Sequence, residues 1–168
     1  MAIAITLQQY LSNQGITYDC LEHERTGCSS GSAEAGGVPS DCLAKAVVLK
    51  RGDGYIIAII PASRYVELDA VGGWLRQPVG LATEVEIEPL FPDCERGAVP
   101  PVAAAYGLRS LVDDSLESRP DVYFEGGDHR TLVHLSGKQF HKLMQKVPHG
   151  HLCAELKTDQ DDSLYGGA

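Results

Sequence analysis

The chain has 168 residues, of which 43% are hydrophobic and 22% are charged, the composition of an ordinary globular protein. Its length is that of a single domain, and no apolar run reaches the roughly 20 residues of a membrane-spanning helix. The 14 basic and 23 acidic residues give a net charge of −9. This balance argues against extended, non-specific binding of a nucleic-acid duplex, because such binding depends on neutralising phosphates. A small pocket for one end of an RNA needs only a few local cations, so the composition permits it.

The cysteines indicate a reducing environment, because they are dispersed and form no C-x-x-C pair. They are Cys20, Cys28, Cys42, Cys94 and Cys153. An odd, scattered set predicts free thiols rather than a disulfide framework or a zinc site. The first five residues lack the basic region and cleavage site of a signal peptide. We therefore expect a cytoplasmic protein.

The first half of the chain predicts a helix, a strand and a hairpin. Thr6-Leu7-Gln8-Gln9 matches a capping box, and Gly15 supplies the end of that helix. The next predicted elements are a strand over 17–23, a helical patch over 32–35, and a hairpin of two β-rich runs over 43–50 and 55–60.

The second half predicts short helices and strands without a regular βαβ period. The predicted elements are helices over 66–75 and 84–90, strands over 108–112, 122–125 and 131–135, and a last helix capped by Ser136-x-x-Gln139. Thr83-x-x-Glu86 is a capping box that opens the second of these helices. The pattern predicts an α+β fold with an antiparallel or mixed sheet able to curl into a barrel.

The C-terminal residues 154–168 are rich in Asp, Ser and Gly and show no apolar periodicity. They predict an acidic, flexible tail. Residues 1–153 contain neither an internal repeat nor a long linker, so they are predicted to form one domain.

Lys45 is the first candidate functional residue, because its strand is otherwise apolar on both faces. A lysine on such a face either extends its ammonium to the rim of the sheet or meets an anion. The alternative is that Lys45 protects an edge strand from pairing with other chains.

Two glycine-rich loops are further candidates. In Gly97-Ala98-Val99-Pro100-Pro101, glycine allows close approach to a ligand and the prolines stiffen the loop, so its N–H groups could form a fixed donor array. Gly126-Gly127-Asp128-His129-Arg130 lies between two strands and offers polar groups able to orient water or a hydroxyl. The alternatives are a simple connection for the first loop and a simple hairpin turn for the second.

Lys138, Lys142 and Lys146 recur every fourth residue along the last helix. This stripe fits either a contact with a phosphate backbone or a solvated helix face. The run from His149 to Cys153 could bind a metal, although its position beside the tail argues against this. The sequence contains no G-x-S-x-G elbow, H-E-x-x-H, Walker loop or G-x-G-x-x-G. From the residues alone, we predict an anion pocket built from Lys45 and the two glycine-rich loops.

Five segments, taken in chain order, carry a resemblance to a known family. They are Tyr18 to His23, Ala33-Glu34-Ala35 with Gly37-Val38-Pro39, Leu43 to Leu49, Gly97 to Pro101, and Gly127-Asp128-His129. Their order and spacing resemble the YbaK/ProX family of aminoacyl-tRNA deacylases, whose domain also occurs inserted in bacterial prolyl-tRNA synthetases. The resemblance covers residues 6–146. It includes a G-x-x-x-P loop at 97–101 and a G-x-H element at 127–129.

The resemblance implies a role for each matched position. Lys45 would lie near the terminal phosphate and ribose of the tRNA acceptor end, and Gly97 to Pro101 would hold the 3′ adenosine and the ester carbonyl. Gly127 to His129 would shape the aminoacyl pocket. The candidate catalytic residues are therefore Lys45, Gly97, Asp128 and His129. The candidate substrate-binding residues are Cys28, Ser29, Ser30, Ala46, Ala98, Val99, Pro100 and Gly127. The implied fold is a mixed, mostly antiparallel sheet curled into a barrel-like core with surrounding helices.

The implied function is hydrolysis of mischarged aminoacyl-tRNA, assisted by the 2′-hydroxyl of the substrate and needing no metal or other cofactor. Relatives often carry Thr or Asn after the lysine, where this chain has Ala46, so the pocket floor is expected to be smaller and less polar. Alanine, cysteine and serine on tRNA-Pro are the expected substrates. The expected partners are the tRNA acceptor end and, as a further candidate, prolyl-tRNA synthetase, with neither DNA nor a membrane among them.

Two alternatives come from other classes of protein. One is a non-catalytic module that binds a tRNA end or a synthetase. The other is a thiol- or metal-dependent hydrolase that uses Cys28 or the pair His149 and His151.

Overall fold

A computed structural model describes residues 3–26, 29–52 and 54–154. In these residues the helices are α1 (Ile5–Asn13), α2 (Ser29–Gly36), α3 (Leu68–Leu75), α4 (Glu84–Ile87) and α5 (Gly137–Leu143). The strands are β1 (Asp19–Glu22), β2 (Ala44–Arg51), β3 (Gly54–Pro61), β4 (Tyr65–Val66), β5 (Gly80–Leu81), β6 (Arg109–Asp113), β7 (Asp121–Glu125), β8 (Thr131–Ser136), β9 (His149–Gly150) and β10 (Cys153–Ala154). The α+β class predicted from the sequence is confirmed. The tail predicted over 154–168 lies, apart from Ala154, outside the described residues.

The largest sheet has five strands in the order β5-β2-β3-β6-β9. Its centre is the predicted hairpin, in which β2 pairs antiparallel with β3 from Ala44 opposite Pro61 to Arg51 opposite Gly54. The strand β6 runs parallel to β3, and β9 runs parallel to β6. The sheet is therefore mixed, as predicted.

A second sheet has three antiparallel strands in the order β1-β8-β7, and β4 pairs with β10 in a short ribbon. A single parallel bridge between Leu43 and Tyr123 joins the two larger sheets. The prediction of one sheet curled into a barrel-like core is wrong in this respect, since the described residues form no closed barrel. One bridge is not a continuous ladder, so the sheets meet as separate layers.

Two apolar clusters lie on opposite faces of the five-stranded sheet. The larger cluster contains α1, whose Leu7 and Leu11 are fully buried, together with residues of the second sheet such as Phe124 and Val133. The smaller cluster lies beneath α3, where Val71 packs with strand residues. Strand alternation produces this division, because neighbouring residues of β2 point to opposite faces.

The helix boundaries show where local signals succeed and where they fail. Thr83 and Glu86 form the predicted reciprocal capping box of α4. The prediction that Thr6 caps the first helix is wrong, because α1 begins at Ile5 and the Thr6 N–H donates to Asp93 Oδ2 at 2.9 Å. A carboxylate from a distant loop thus takes the place of a local cap. Among the described residues, no helix has the length and apolarity to span a bilayer.

Candidate functional site

Lys45 lies on β2, on the face of the sheet that carries α3. Its Nζ is 5.4 Å from the centroid of the Tyr65 ring, within the range of a cation–π contact. Both residues line an open cavity of about 550 Å³, which Glu67 and Asp69 also border. The cavity therefore combines a cation, an aromatic ring and two carboxylates, whereas the sequence predicted an anion pocket built from Lys45 and the two glycine-rich loops.

Ala46 points to the opposite face of β2 and packs against the larger apolar cluster, to which Val99 also belongs. The structure thus places two predicted site residues, Ala46 and Val99, in the same cluster. The cavity that Lys45 lines contains no residue of the loop over 97–101. Lys45 and this loop lie on different sides of β2.

Among the described residues, no strand pairs with the outer edge of β2 at Ala46. In the described chain, this edge meets β7 through Leu43, and at its other end it meets β5 through Leu49 and Lys50. The Val48 carbonyl accepts a hydrogen bond from Ala82 N–H at 3.0 Å, so the backbone of Val48 faces the outer edge. Ala46, two residues earlier, faces the same way. The result is a gap in strand pairing beside Ala46, which we call the edge gap.

The loop over 97–101 has the stiff, irregular backbone predicted from its composition. Gly97 has a φ of 84°, which favours glycine, and Ala98 N–H donates to the Glu95 carbonyl at 3.1 Å. Ala98 and Pro100 are buried, whereas Gly97 is exposed. Among the described residues, no backbone carbonyl accepts a hydrogen bond from the N–H of Gly97 or Val99. These two groups are the candidate donors for an oxyanion.

Asp128 builds the turn between β7 and β8. Its Oδ1 accepts from the N–H groups of Arg130 at 3.0 Å and Thr131 at 2.8 Å, and its Oδ2 accepts from Thr131 Oγ1 at 3.1 Å. Both carboxylate oxygens are therefore engaged within the turn. This arrangement is an Asx-type turn, in which the side chain fixes the backbone that follows it.

His129 follows in a left-handed conformation, with a φ of 60°, and is 4% exposed. Its Nε2 donates to the Arg96 carbonyl, so in the neutral ring Nδ1 is the acceptor. A second link joins the same segments, because Glu95 N–H donates to the Gly127 carbonyl at 2.7 Å. The two predicted glycine-rich loops are thus joined to each other immediately before Gly97.

Glu125 is a candidate that sequence reasoning missed. It is 1% exposed, and no described donor reaches either carboxylate oxygen with good hydrogen-bond geometry. Burial raises its pKa, while the Ser32 hydroxyl and the imidazoles of His129 and His23 act in the opposite direction. The signal available in the sequence was a glutamate at the end of an otherwise apolar strand, directly before Gly126-Gly127.

Three predicted substrate-binding residues precede or begin α2. Cys28 lies outside the described residues, and Ser29 and Ser30 form the first turn of the helix. Ser32, one turn further on, is fully buried, and its Oγ lies 2.6 Å from Thr26 Oγ1. Its hydroxyl is also the group of α2 that lowers the pKa of Glu125, so this part of α2 lies near that carboxyl.

Most of the region that contains these candidate residues matches a known protein family. Residues 23–143 match the family of the aminoacyl-tRNA editing domain. The chain belongs to this family. The match includes Lys45, both glycine-rich loops and Glu125, and it bears out the resemblance to aminoacyl-tRNA deacylases found in the sequence.

Solved structures share the fold of this editing domain. The hypothetical protein APE2540 superposes with a TM-score of 0.79 at 22% identity, covering 89% of this chain and 99% of that one. A protein suggested to be a trans-editing enzyme for prolyl-tRNA synthetase superposes with a TM-score of 0.77, also at 22% identity, covering 89% and 95% of the two chains. No curated protein sequence matches the chain.

Two thiols of the editing domain are poor nucleophiles. Burial raises the pKa of Cys94 to about 11 and that of Cys153 to about 12. Cys94 lies 3.3 Å from the Tyr106 hydroxyl, which donates to Asp93 Oδ1 at 2.8 Å. These thiols are protonated at neutral pH, whereas a thiolate is the form that attacks a carbonyl or binds a metal.

Proposed function

We propose that this editing domain hydrolyses the ester bond of mischarged aminoacyl-tRNA, with tRNA-Pro carrying alanine, cysteine or serine as the substrate class. The observation that carries the proposal is the edge gap of β2. It has Lys45 on one side and Ala46 with the donor-bearing loop on the other. A single extended 3′ end lying across this edge would touch both sides.

Lys45 would hold the terminal phosphate, and the ring of Tyr65 beside it would support the ribose or the base. A fixed cation orients the substrate and lowers the entropic cost of bringing the ester to the loop. Glu67 and Asp69 border the same cavity. They repel phosphate from the rest of the cavity and so favour its placement at the ammonium.

The ester carbonyl would lie against the N–H groups of Gly97 and Val99. Water attacks the carbonyl carbon, and the neighbouring 2′-hydroxyl relays the proton of that water. The carbonyl oxygen then carries negative charge that the two N–H groups stabilise. Collapse of this intermediate breaks the bond to the 3′ oxygen, which takes up the proton and leaves as a hydroxyl. The products are the free amino acid and intact tRNA.

His129 acts in this proposal as a positioning residue. Its bond to the Arg96 carbonyl fixes the peptide unit that precedes Gly97, and the Asx-type turn of Asp128 fixes His129. Because both side chains are occupied in this way, they support the donor array rather than the ester itself.

The choice of substrate rests on size. Ala46 offers a methyl group where a longer side chain would fill the gap, so a small aminoacyl group fits beside it. A hydrophobic pocket separates substrates by only about 1–3 kcal/mol per methylene, so discrimination among alanine, cysteine and serine is modest. The fold shared with a suggested trans-editing enzyme for prolyl-tRNA synthetase supports tRNA-Pro as the carrier and that synthetase as a partner.

The test is deacylation of tRNA-Pro charged separately with alanine, cysteine, serine and proline. We expect the wild type to release at least one non-cognate amino acid quickly and proline slowly. Lys45→Ala should lose about a hundredfold or more in kcat/KM, whereas Lys138→Ala, an exposed lysine elsewhere, should retain the activity. A substrate ending in 2′-deoxyadenosine should resist the wild type. Full activity of a folded Lys45→Ala protein would overturn the mechanism, and tRNA binding without any hydrolysis would favour a binding module.

A further inference from the structure

An open groove of about 800 Å³ lies between α3, the end of α5 and the start of β6. Four cationic side chains line it, and none of the carboxylates in the described residues does. The cations are Arg51, Arg109, Lys142 and Lys146. A purely cationic groove is unexpected by chance in a chain with a net charge of −9.

Within the described part of the chain, the groove cations also lack acidic partners. Among the described residues, no carboxylate lies within 4.0 Å of any of the four, although Lys142 Nζ donates to the Gly15 carbonyl at 3.0 Å. Several cations elsewhere on the surface are paired with carboxylates. Lys50 lies 2.8 Å from Glu86, and Arg25 lies 2.5 Å from Glu95. The positive charge of the groove is therefore available to an anionic partner.

Trp74 adds an aromatic surface to the groove. It is 46% exposed and is the single tryptophan of the chain. Its indole lies against Gly150, where a Cβ would come within 2.5 Å of Nε1, so glycine is needed there to admit the ring. Tyr10 lines the same groove. Cations beside an exposed aromatic ring such as Trp74 are the combination that binds a nucleic-acid backbone together with an unstacked base.

The helix α3 connects this groove to the cavity of Lys45. Leu68 and Asp69, at the start of the helix, border the cavity, and Trp74 and Leu75, at its end, line the groove. A helix of this length spans about 12 Å. Along one strand of a duplex this distance corresponds to about three to four nucleotides. A strand whose 3′ end is in the cavity would reach the groove near its first paired nucleotides.

We propose that this groove binds the acceptor-stem backbone of the tRNA whose 3′ end enters the Lys45 cavity, with a base against Trp74. The proposal rests on the proposed function for the position of the 3′ end. The affinity of the groove for RNA does not depend on hydrolysis. The proposal assigns Lys142 and Lys146 to the RNA contact. Lys138 does not line the groove and remains a solvated residue.

The binding test is a titration of Trp74 fluorescence with uncharged tRNA and with an acceptor-stem hairpin, at several salt concentrations. We expect quenching by both RNAs. The double variant Arg109→Glu/Lys146→Glu should bind more weakly, and its slope of log affinity against log salt should fall by about two. The control Arg76→Glu/Lys138→Glu changes the same number and types of charges outside the groove and should behave as the wild type. Equal losses in both variants would overturn the proposal.

A second measurement separates the groove from the reaction. On intact mischarged tRNA, the groove variant should lose at least tenfold in kcat/KM. On an aminoacylated CCA trinucleotide, which has no stem, the groove variant should have the same kcat/KM as the wild type. An equal loss on both substrates would overturn the proposal. If the wild type hydrolysed neither substrate, the proposed function would fail, and the fluorescence titration would still decide the groove.

Trp74→Ala tests the stacking contact, with anisotropy of labelled hairpin as the readout. We expect about tenfold weaker binding with an unchanged salt slope, because no charge is removed. Unchanged affinity would overturn the role of Trp74. Quenching of Trp74 by polyglutamate but not by RNA would overturn the RNA assignment and indicate an acidic protein as the partner.

Discussion

His129 Nε2 donates a hydrogen bond to the carbonyl of Arg96, which is the residue directly before Gly97. The bond joins two turns that are 33 residues apart in sequence. His129 makes it from a left-handed backbone conformation, which costs a residue with a side chain about 1–2 kcal/mol. Such a conformation is maintained when the surrounding structure requires it. The imidazole thereby determines where the candidate oxyanion donors lie.

Removing this bond should impair the reaction more than the fold. We expect His129→Ala to lower the kcat of deacylation by about tenfold to a hundredfold, because small displacements of an oriented group have effects of this size. His129→Gln should recover much of that loss, since the amide nitrogen of Gln can replace Nε2 as donor. Steady-state kinetics on mischarged tRNA would check this. Equal loss in both variants would contradict a role in positioning.

Glu125 should make stability depend on pH in an identifiable direction. Burial raises its pKa above the ordinary value of 4.5, so its contribution to stability is complete below that pH and is lost as the pH rises through the folded pKa. Glu125→Gln does not titrate at this position. The variant should therefore gain stability relative to the wild type as the pH increases from about 4.5.

Urea denaturation of both proteins from pH 4 to 8 would measure this difference. His23, His129 and Asp128 face the same carboxyl and are present in both proteins, so they largely cancel in the comparison. If the difference in unfolding free energy did not change with pH, or favoured the wild type at higher pH, Glu125 would be well stabilised as an anion.

The buried thiols should be inert at neutral pH. With pKa values of about 11 and 12, Cys94 and Cys153 should react with iodoacetamide at pH 7.5 far more slowly than they do in the urea-unfolded chain. Peptide mapping by mass spectrometry would quantify this. Deacylation should survive the treatment, and Cys28→Ser should remain active. Loss of activity in that variant would revive the thiol-dependent alternative.

The first helix should contribute strongly to stability through one face. Leu11 is fully buried in the larger cluster, so Leu11→Ala should cost about 2–5 kcal/mol of unfolding free energy. Ile5, on the same helix, is 67% exposed, and Ile5→Ala should change the stability by less than about 0.5 kcal/mol. Chemical denaturation of the two variants makes a matched comparison. Similar values would mean that α1 does not pack as described.

The elements that the sequence predicted well are those with local causes. The hairpin of β2 and β3 was predicted to within one residue at each boundary, because β-branched runs and a glycine-containing turn are neighbours in the chain. The capping box at Thr83 likewise involves residues three apart. The start of the first helix could not be predicted correctly, since Asp93, which accepts from the Thr6 N–H, is distant in sequence.

The candidate site was predictable in its parts but not in its arrangement. Lys45 was singled out as a cation on an apolar strand, with an edge position as the alternative. It directly precedes Ala46, where no described strand pairs with the outer edge of β2, so its position fits both interpretations. Glu125 was missed because its burial depends on Ser32 and His129, which reach it only through the tertiary structure. The barrel was expected from the number of strands, whereas closure depends on long-range pairing.

The edge gap of β2 has a consequence for the rate of amide hydrogen exchange. Within the strand, the N–H groups of Lys45 and Val47 face β3 and are bonded in its ladder, whereas the N–H of Ala46 faces the gap. Exchange with deuterium should therefore be slow, fast and slow at three consecutive residues, although all three belong to a central strand of the larger sheet. An RNA end bound in the edge gap would slow amide exchange only at Ala46.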